Sequence, residues 1–146
     1  MNADAQPASN SDGTAMLRRL ESAANARDLE ALVDCFADGY KNETPVHPAR
    51  GFTGREQVRR NWEMIFAGVP DLHSVLTRAA TSGDLVWSEW EMSGRRRDGQ
   101  PHLIRGVVIF RVVDGRATWA RFYLEPVDHS DRDADAAVRA AVGVSS

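Results

Sequence analysis

The strongest constraint on how this chain can fold is a change of hydrophobic period near residue 71. Beyond it, four strand-like runs follow one another closely, at about 71–81, 84–93, 103–113 and 116–125. Joins this short connect antiparallel neighbours, because parallel strands need a crossover of about a dozen residues or more. Ser82-Gly83 separates the first pair. Asp114-Gly115 separates the last pair and suits a type I′ hairpin, where positive φ is required. The middle join is a longer basic tip, Arg95-Arg96-Arg97-Asp98-Gly99, read as a solvated turn. The second half of the chain therefore reads as an antiparallel meander.

Upstream the period is helical. Met16, Leu17, Leu20, Ala23 and Ala24 form one apolar stripe and predict a helix from about Gly13 to Ala26. Asp28 is placed to cap a second, short helix whose apolar side is Leu29, Leu32, Val33 and Phe36. Tyr40 to Thr44 reads as a short strand, and TPVHPARGF, with two prolines and a glycine, as loop. Thr53-Gly54-Arg55-Glu56 has the pattern of a capping box and predicts a helix to about Ala67, with Val58, Trp62, Ile65 and Phe66 on its apolar face. Gly68 and Pro70 end it. Residues 1–12 read as a disordered lead-in, 13–126 as one domain, and 127–146 as a tail with a weak helix at 131–142. Three helices followed by a meander make an α+β plan. The helix stripes need burial, so the expected fold is a strongly curved antiparallel sheet covered by three N-terminal helices and enclosing a pocket at its open end.

Composition narrows the function classes. The 146 residues suit one domain, and a net charge of -3 gives no general reason to expect nucleic-acid binding. One cysteine, Cys35, excludes an intrachain disulfide and fits a reducing compartment. The N-terminus lacks an apolar signal region, and no apolar run approaches the roughly 20 residues of a membrane span. The cytoplasm is the expected compartment. There is no HExxH or CxxC spacing, no phosphate-cradling glycine loop and no GxSxG elbow, so neither metal nor cofactor is expected.

The stretch DLVWSEWEMSG, residues 84–94, carries the most suggestive chemistry. With period 2, Trp87, Glu89, Glu91 and Ser93 share one face, and Val86, Ser88, Trp90 and Met92 the other. Two carboxylates at i and i+2 lie roughly 7 Å apart. On an exposed face they are solvated charges or partners for Arg105, Arg111 or Arg121. Facing a cavity they form an acid–base pair, because like charges in an apolar site raise at least one pKa. The last strand divides the same way: Trp119, Arg121, Tyr123 and Glu125 against Thr118, Ala120, Phe122 and Leu124. The first of these faces suits a contact between two sheets and hence a homodimer. Its alternative is that Arg121 and Tyr123 enter the pocket. His47, between two prolines, is a candidate switch or base at a cavity mouth; His73 and His102 lie near strand starts.

The helix pair, the segment PVHPARGFTGREQV, the hairpin from DLVWSEWEMSG and the ending FRVVDGRATWARFYLEP together resemble the SnoaL-like branch of the nuclear transport factor 2-like superfamily. That resemblance implies a cone-shaped α+β fold, commonly dimeric through the sheet, with a cavity for a small, mostly apolar molecule. The family includes polyketide cyclases, ketosteroid isomerases and limonene-epoxide hydrolases, as well as members that only bind or scaffold. Tyr40 and Asn42 look like the tyrosine–asparagine pair that holds the attacking water in epoxide hydrolase relatives. Glu89 and Glu91 stand near the place of an arginine and an aspartate in those relatives, and Phe122 near the place of a last-strand aspartate.

The expected function is a cofactor-free enzyme that moves protons on an apolar cyclic or polyketide-like substrate, by cyclisation or isomerisation. Its catalytic set would be Glu89, Glu91, Tyr40, Asn42 and His47, and its substrate contacts Trp62, Phe66, Trp87, Phe122, Arg121 and Tyr123. The alternatives are a non-catalytic small-molecule-binding or dimeric assembly domain, and an epoxide hydrolase-like enzyme.

Overall fold

The stripe Met16, Leu17, Leu20, Ala23 and Ala24 is buried along its whole length, as the helical period requires. It belongs to α1 (Ala5–Ala26) in a computed structural model of the chain, which describes residues 5–145, with side chains from residue 13 onward. The helix starts earlier than Gly13, so residues 5–12 of the expected lead-in are helical; residues 1–4 lie outside the described residues. Asp28 caps α2 (Leu29–Asp34) as expected, its Oδ1 accepting from the Ala31 backbone N–H at 3.1 Å. Phe36 does not continue that helix but opens β1 (Phe36–Glu43), paired there with Ala117. Strand pairing to a distant segment has overridden the local apolar spacing.

The capping box does not form. Thr53 belongs to β2 (Phe52–Thr53) and pairs with Lys41, so it is still in a strand where the box needs it at a helix start. The helix α3 (Arg55–Gly68) begins one residue later, with Gly54 at its N-cap at φ 96° and no side-chain cap. The Gly54 backbone N–H instead donates to the Tyr40 carbonyl at 2.7 Å.

The expected meander is present as β3 (His73–Ser82), β4 (Leu85–Arg95), β5 (Pro101–Val113) and β6 (Arg116–Pro126). Ser82 pairs with Leu85, so the first tight turn is Gly83-Asp84 rather than Ser82-Gly83. Asp114 and Gly115, at φ 52° and 77°, form the last turn with both residues left-handed, as a type I′ turn demands. The sheet has six strands in the order β2-β1-β6-β5-β4-β3. It is mixed, not purely antiparallel: β1 runs parallel to β6, with α3 and four strands in the crossover between them. A short helix, α4 (Ala134–Val142), follows; Asp133 caps it and none of its residues is buried.

Curvature of this open sheet leaves a concave face, which α1 and α3 cover. One close approach marks the bend. Gly106 in β5 has φ 152°, and a Cβ there would sit 2.0 Å from the Tyr123 carbonyl oxygen of β6. Only glycine fits that position without moving backbone. The core sits between the concave face and the helices, and includes Trp90, Val108, Phe110, Ala117 and Ala120 from the strands.

Candidate functional site

The concave face and the helical cover do not close completely. Two adjoining chambers remain. The outer one has a volume of about 320 Å³ and is bounded by β1, the Pro48–Arg50 turn, α3 and the ends of β5 and β6. The inner one, about 50 Å³, lies deeper, between α1 and the middle of the sheet. Phe36, Trp62, Met92, Phe122 and Leu124 line both. A large apolar space carrying a few polar groups is the usual form of a small-molecule site.

Its most ordered polar feature is the pair on β1. Tyr40 and Asn42 are two residues apart on a strand and so share a face. The Tyr40 hydroxyl donates to Asn42 Oδ1 at 2.6 Å, and both residues line the outer chamber and are buried. Burial pushes the Tyr40 phenol far above its ordinary value, so it stays a neutral donor. With Oδ1 occupied, the Asn42 amide is left to donate. The expected pairing of these two residues is present.

Four further polar residues line the outer chamber, Thr44, Arg50, Asn61 and His102, and none was in the expected site set. Arg50 ends the turn Pro48–Arg50 at the mouth; its backbone N–H donates to the His47 carbonyl at 2.9 Å, and its side chain makes no hydrogen bond or ion pair among the described residues. Thr44 holds that loop, its hydroxyl donating to the His47 carbonyl at 2.7 Å while its own carbonyl accepts from the His47 N–H at 2.8 Å. His102 enters from the start of β5. Burial, and secondly the charge of Arg96, hold its imidazolium below the ordinary histidine range, so the ring is neutral near pH 7. A signal for His102 was present in the sequence: it shares strand parity with Ile104, Val108 and Phe110, which face the chambers or the core. Arg50 lies three residues from His47, across a single turn that local spacing does not orient.

Trp62 and Phe122 are cavity walls as expected; Trp62 packs on Phe66 with ring centroids 5.5 Å apart, and Phe66 supports it from outside the lining. The remaining expected residues lie elsewhere. Glu89 and Glu91 are on the convex face, with side chains 50% and 37% exposed. Glu89 pairs with Arg78 at 3.0 Å, and Glu91 with its cross-strand neighbour Arg105 at 2.6 Å. The inward face of β4 is Val86, Ser88 and Trp90. The reason is desolvation: an apolar face is buried at little cost, whereas two carboxylates without partners are not. Trp87, on the same side as the glutamates, is 49% exposed and lines neither chamber.

His47 also points away from the chambers, its Nε2 at 3.0 and 3.1 Å from the two carboxylate oxygens of Glu125. Arg121 lies outside as well, donating to Glu43 Oε1 at 2.8 Å. Its guanidinium and that of Arg111 both lie over the Trp119 ring, at 5.2 and 5.4 Å. Tyr123 shares this convex face and is half-exposed. Among the described residues, no Asp or Glu lines either chamber. Among the described residues there is no cluster of three His, Cys, Asp or Glu side chains that could hold a metal, and no helix long and apolar enough to cross a membrane.

The comparisons with known proteins agree on the architecture. The model of the SnoaL-like domain family matches residues 17–120. The fold is similar to that of IdmH from Streptomyces antibioticus, proposed to be a polyketide cyclase: 21% identity, 90% of this chain and 98% of that one, TM-score 0.65. A protein from Bacillus subtilis proposed to be an isomerase aligns over 94% of this chain and 96% of its own, at 17% identity and TM-score 0.72. An epoxide hydrolase of Mycobacterium tuberculosis, similar to limonene-epoxide hydrolase, aligns over 79% and 84%, at 16% identity and TM-score 0.68. At these identities the structural likeness establishes the fold alone. No curated protein matches the sequence.

Proposed function

The chain belongs to the SnoaL-like domain family, and from that premise we propose that it is a cofactor-free enzyme moving protons on an apolar cyclic or polyketide-like substrate. The observation that supports this reading most is the composition of the outer chamber: apolar walls, a buried Tyr40–Asn42 pair, Arg50 and His102. His102, uncharged near neutrality, is the candidate base for a proton next to a carbonyl. The Asn42 amide and the Arg50 guanidinium are the candidate donors to the oxyanion that forms when that proton leaves. Tyr40 is a positioning residue, since its bond to Oδ1 fixes which end of the Asn42 amide faces the substrate. Two neighbours on the same fold are described as a proposed polyketide cyclase and a proposed isomerase, the two reaction classes of this proposal.

One observation favours a second reading, a binding domain without catalysis: among the described residues, no carboxylate side chain lines either chamber. It counts equally against epoxide opening, which needs an acid to protonate the epoxide oxygen.

The test is a panel of apolar cyclic ketones, lactones and epoxides, screened for binding by calorimetry and then for solvent deuterium uptake next to the carbonyl. His102→Gln should slow uptake by about a hundredfold or more, the range of lost general base catalysis. Tight binding without uptake would favour the second reading. We further propose that the convex face, with exposed Trp87 and Tyr123, packs against a second copy of the chain. Light scattering should show a dimer that Trp87→Glu dissociates; a monomeric wild type would end that proposal.

A further inference from the structure

The inner chamber holds a polar group that the protein leaves unanswered. Ser74 lies on β3, 1% exposed, opposite Met92 of β4, and lines the inner chamber. Its backbone is fully held: the N–H donates to Asn25 Oδ1 at 2.7 Å, and the carbonyl accepts from Asn25 Nδ2 at 2.8 Å. That amide bridge ties β3 to α1 and fixes where the side chain points. Yet Ser74 Oγ has no hydrogen-bond partner among the described residues.

The polar atoms nearby are treated differently. Trp90, on the same chamber wall, donates through Nε1 to Ser88 Oγ at 2.8 Å, and Ser88 Oγ donates to the Val108 carbonyl at 2.7 Å. That chain is closed within the protein. An unpartnered buried hydroxyl is destabilising, and alanine would occupy the same place without it. The unsatisfied atom therefore points to something that enters the chamber.

We propose that Ser74 determines substrate specificity by hydrogen bonding an oxygen, as carbonyl or hydroxyl, at the buried end of the ligand. This rests on the reading of the chambers as a substrate site. The inner volume of about 50 Å³ admits the edge of a ring with one small substituent, while the body of the molecule fills the 320 Å³ outer chamber. The ligand is thus oxygenated at both ends and apolar between: one end meets Ser74, the other Asn42, Arg50 and His102. Fused-ring ketones and phenols have this distribution of polarity.

The test uses two probes: a naphthoate with a hydroxyl at the far end of its second ring, and the same naphthoate without it. Calorimetry on the wild type should show the hydroxylated probe binding about tenfold more tightly. Ser74→Ala should remove that preference and leave the melting temperature of the free protein unchanged or higher. Equal binding of both probes to the wild type would overturn the role of Ser74 while leaving the cavity as a binding site, and this comparison needs no variant. Failure of both probes to bind would overturn the substrate-site reading with it. A marked fall in melting temperature on Ser74→Ala would make the hydroxyl structural and contradict the proposal.

Discussion

The two faces of the sheet are built from alternate residues of the same strands, yet they follow opposite rules. On β4 the concave side carries Val86, Ser88 and Trp90, all buried, and the convex side Trp87, Glu89 and Glu91. Polar atoms on the concave side are few and mostly closed into short chains, Tyr40 to Asn42 and Trp90 to Ser88 to Val108. Charges on the convex side are many and answered by exposed cross-strand partners. In a dry chamber each polar group has a large effect, because its alternative is an unpaired atom. In a wet ladder the alternative is water. Carboxylates that look catalytic in the sequence are therefore ordinary in the fold, and an inconspicuous serine and histidine are the groups with leverage.

The sharpest break between the faces is expected at the tryptophans of β4. Trp90→Ala empties a core position and should destabilise by about 3–5 kcal/mol, read by urea denaturation. Trp87→Ala, three residues away, should change the stability of a single copy by about 0.5 kcal/mol or less. Next comes the bend that makes one face concave. Gly106→Ala places a Cβ against the Tyr123 carbonyl at a left-handed φ and should cost about 2–3 kcal/mol. Ser88→Ala strands Trp90 Nε1 without an acceptor and should cost about 1–3 kcal/mol.

Smaller effects separate the titrating groups. The folded-state pKa of His102 is depressed, so the unfolded chain binds more protons as the pH falls. Its contribution is therefore fully present above the unfolded value of about 6.5 and is lost as the pH drops below that toward the folded value. The slope of stability against pH in this window should be shallower in His102→Gln, by chemical denaturation at a series of pH values. Smallest of all, Glu89→Gln with Glu91→Gln should change stability by less than about 1 kcal/mol, and less still in high salt.

Much of this molecule was legible in the sequence. The meander was readable because tight turns and period 2 are local properties, and Asp114-Gly115 can do little else. The α1 stripe and the Asp28 cap were equally local. The turn at Gly83-Asp84 and the early start of α1 are small local misreadings; the larger ones involve partners elsewhere in the chain. Thr53 fits a capping box until Lys41 recruits it into a strand. Phe36 fits a helix until Ala117 pairs with it. Alternation on β4 showed which residues share a face but not which face is wet; Arg105 was among the expected partners of an exposed face, and Arg78 was not. The site was half readable. Tyr40, Asn42, Trp62 and Phe122 do line the cavity, whereas Arg50, His102 and Ser74 are brought to it by three separate elements.

The four tryptophans provide the most direct measurement, since Trp62 and Trp90 line the chambers and Trp87 and Trp119 lie on the convex face. Indole N–H resonances would be followed by NMR during titration with the hydroxylated naphthoate. The account predicts that the Trp62 and Trp90 signals move together with a single dissociation constant, while those of Trp87 and Trp119 stay in place. Movement of the convex pair, with Trp62 and Trp90 unchanged, would place the ligand on the charged face and contradict it.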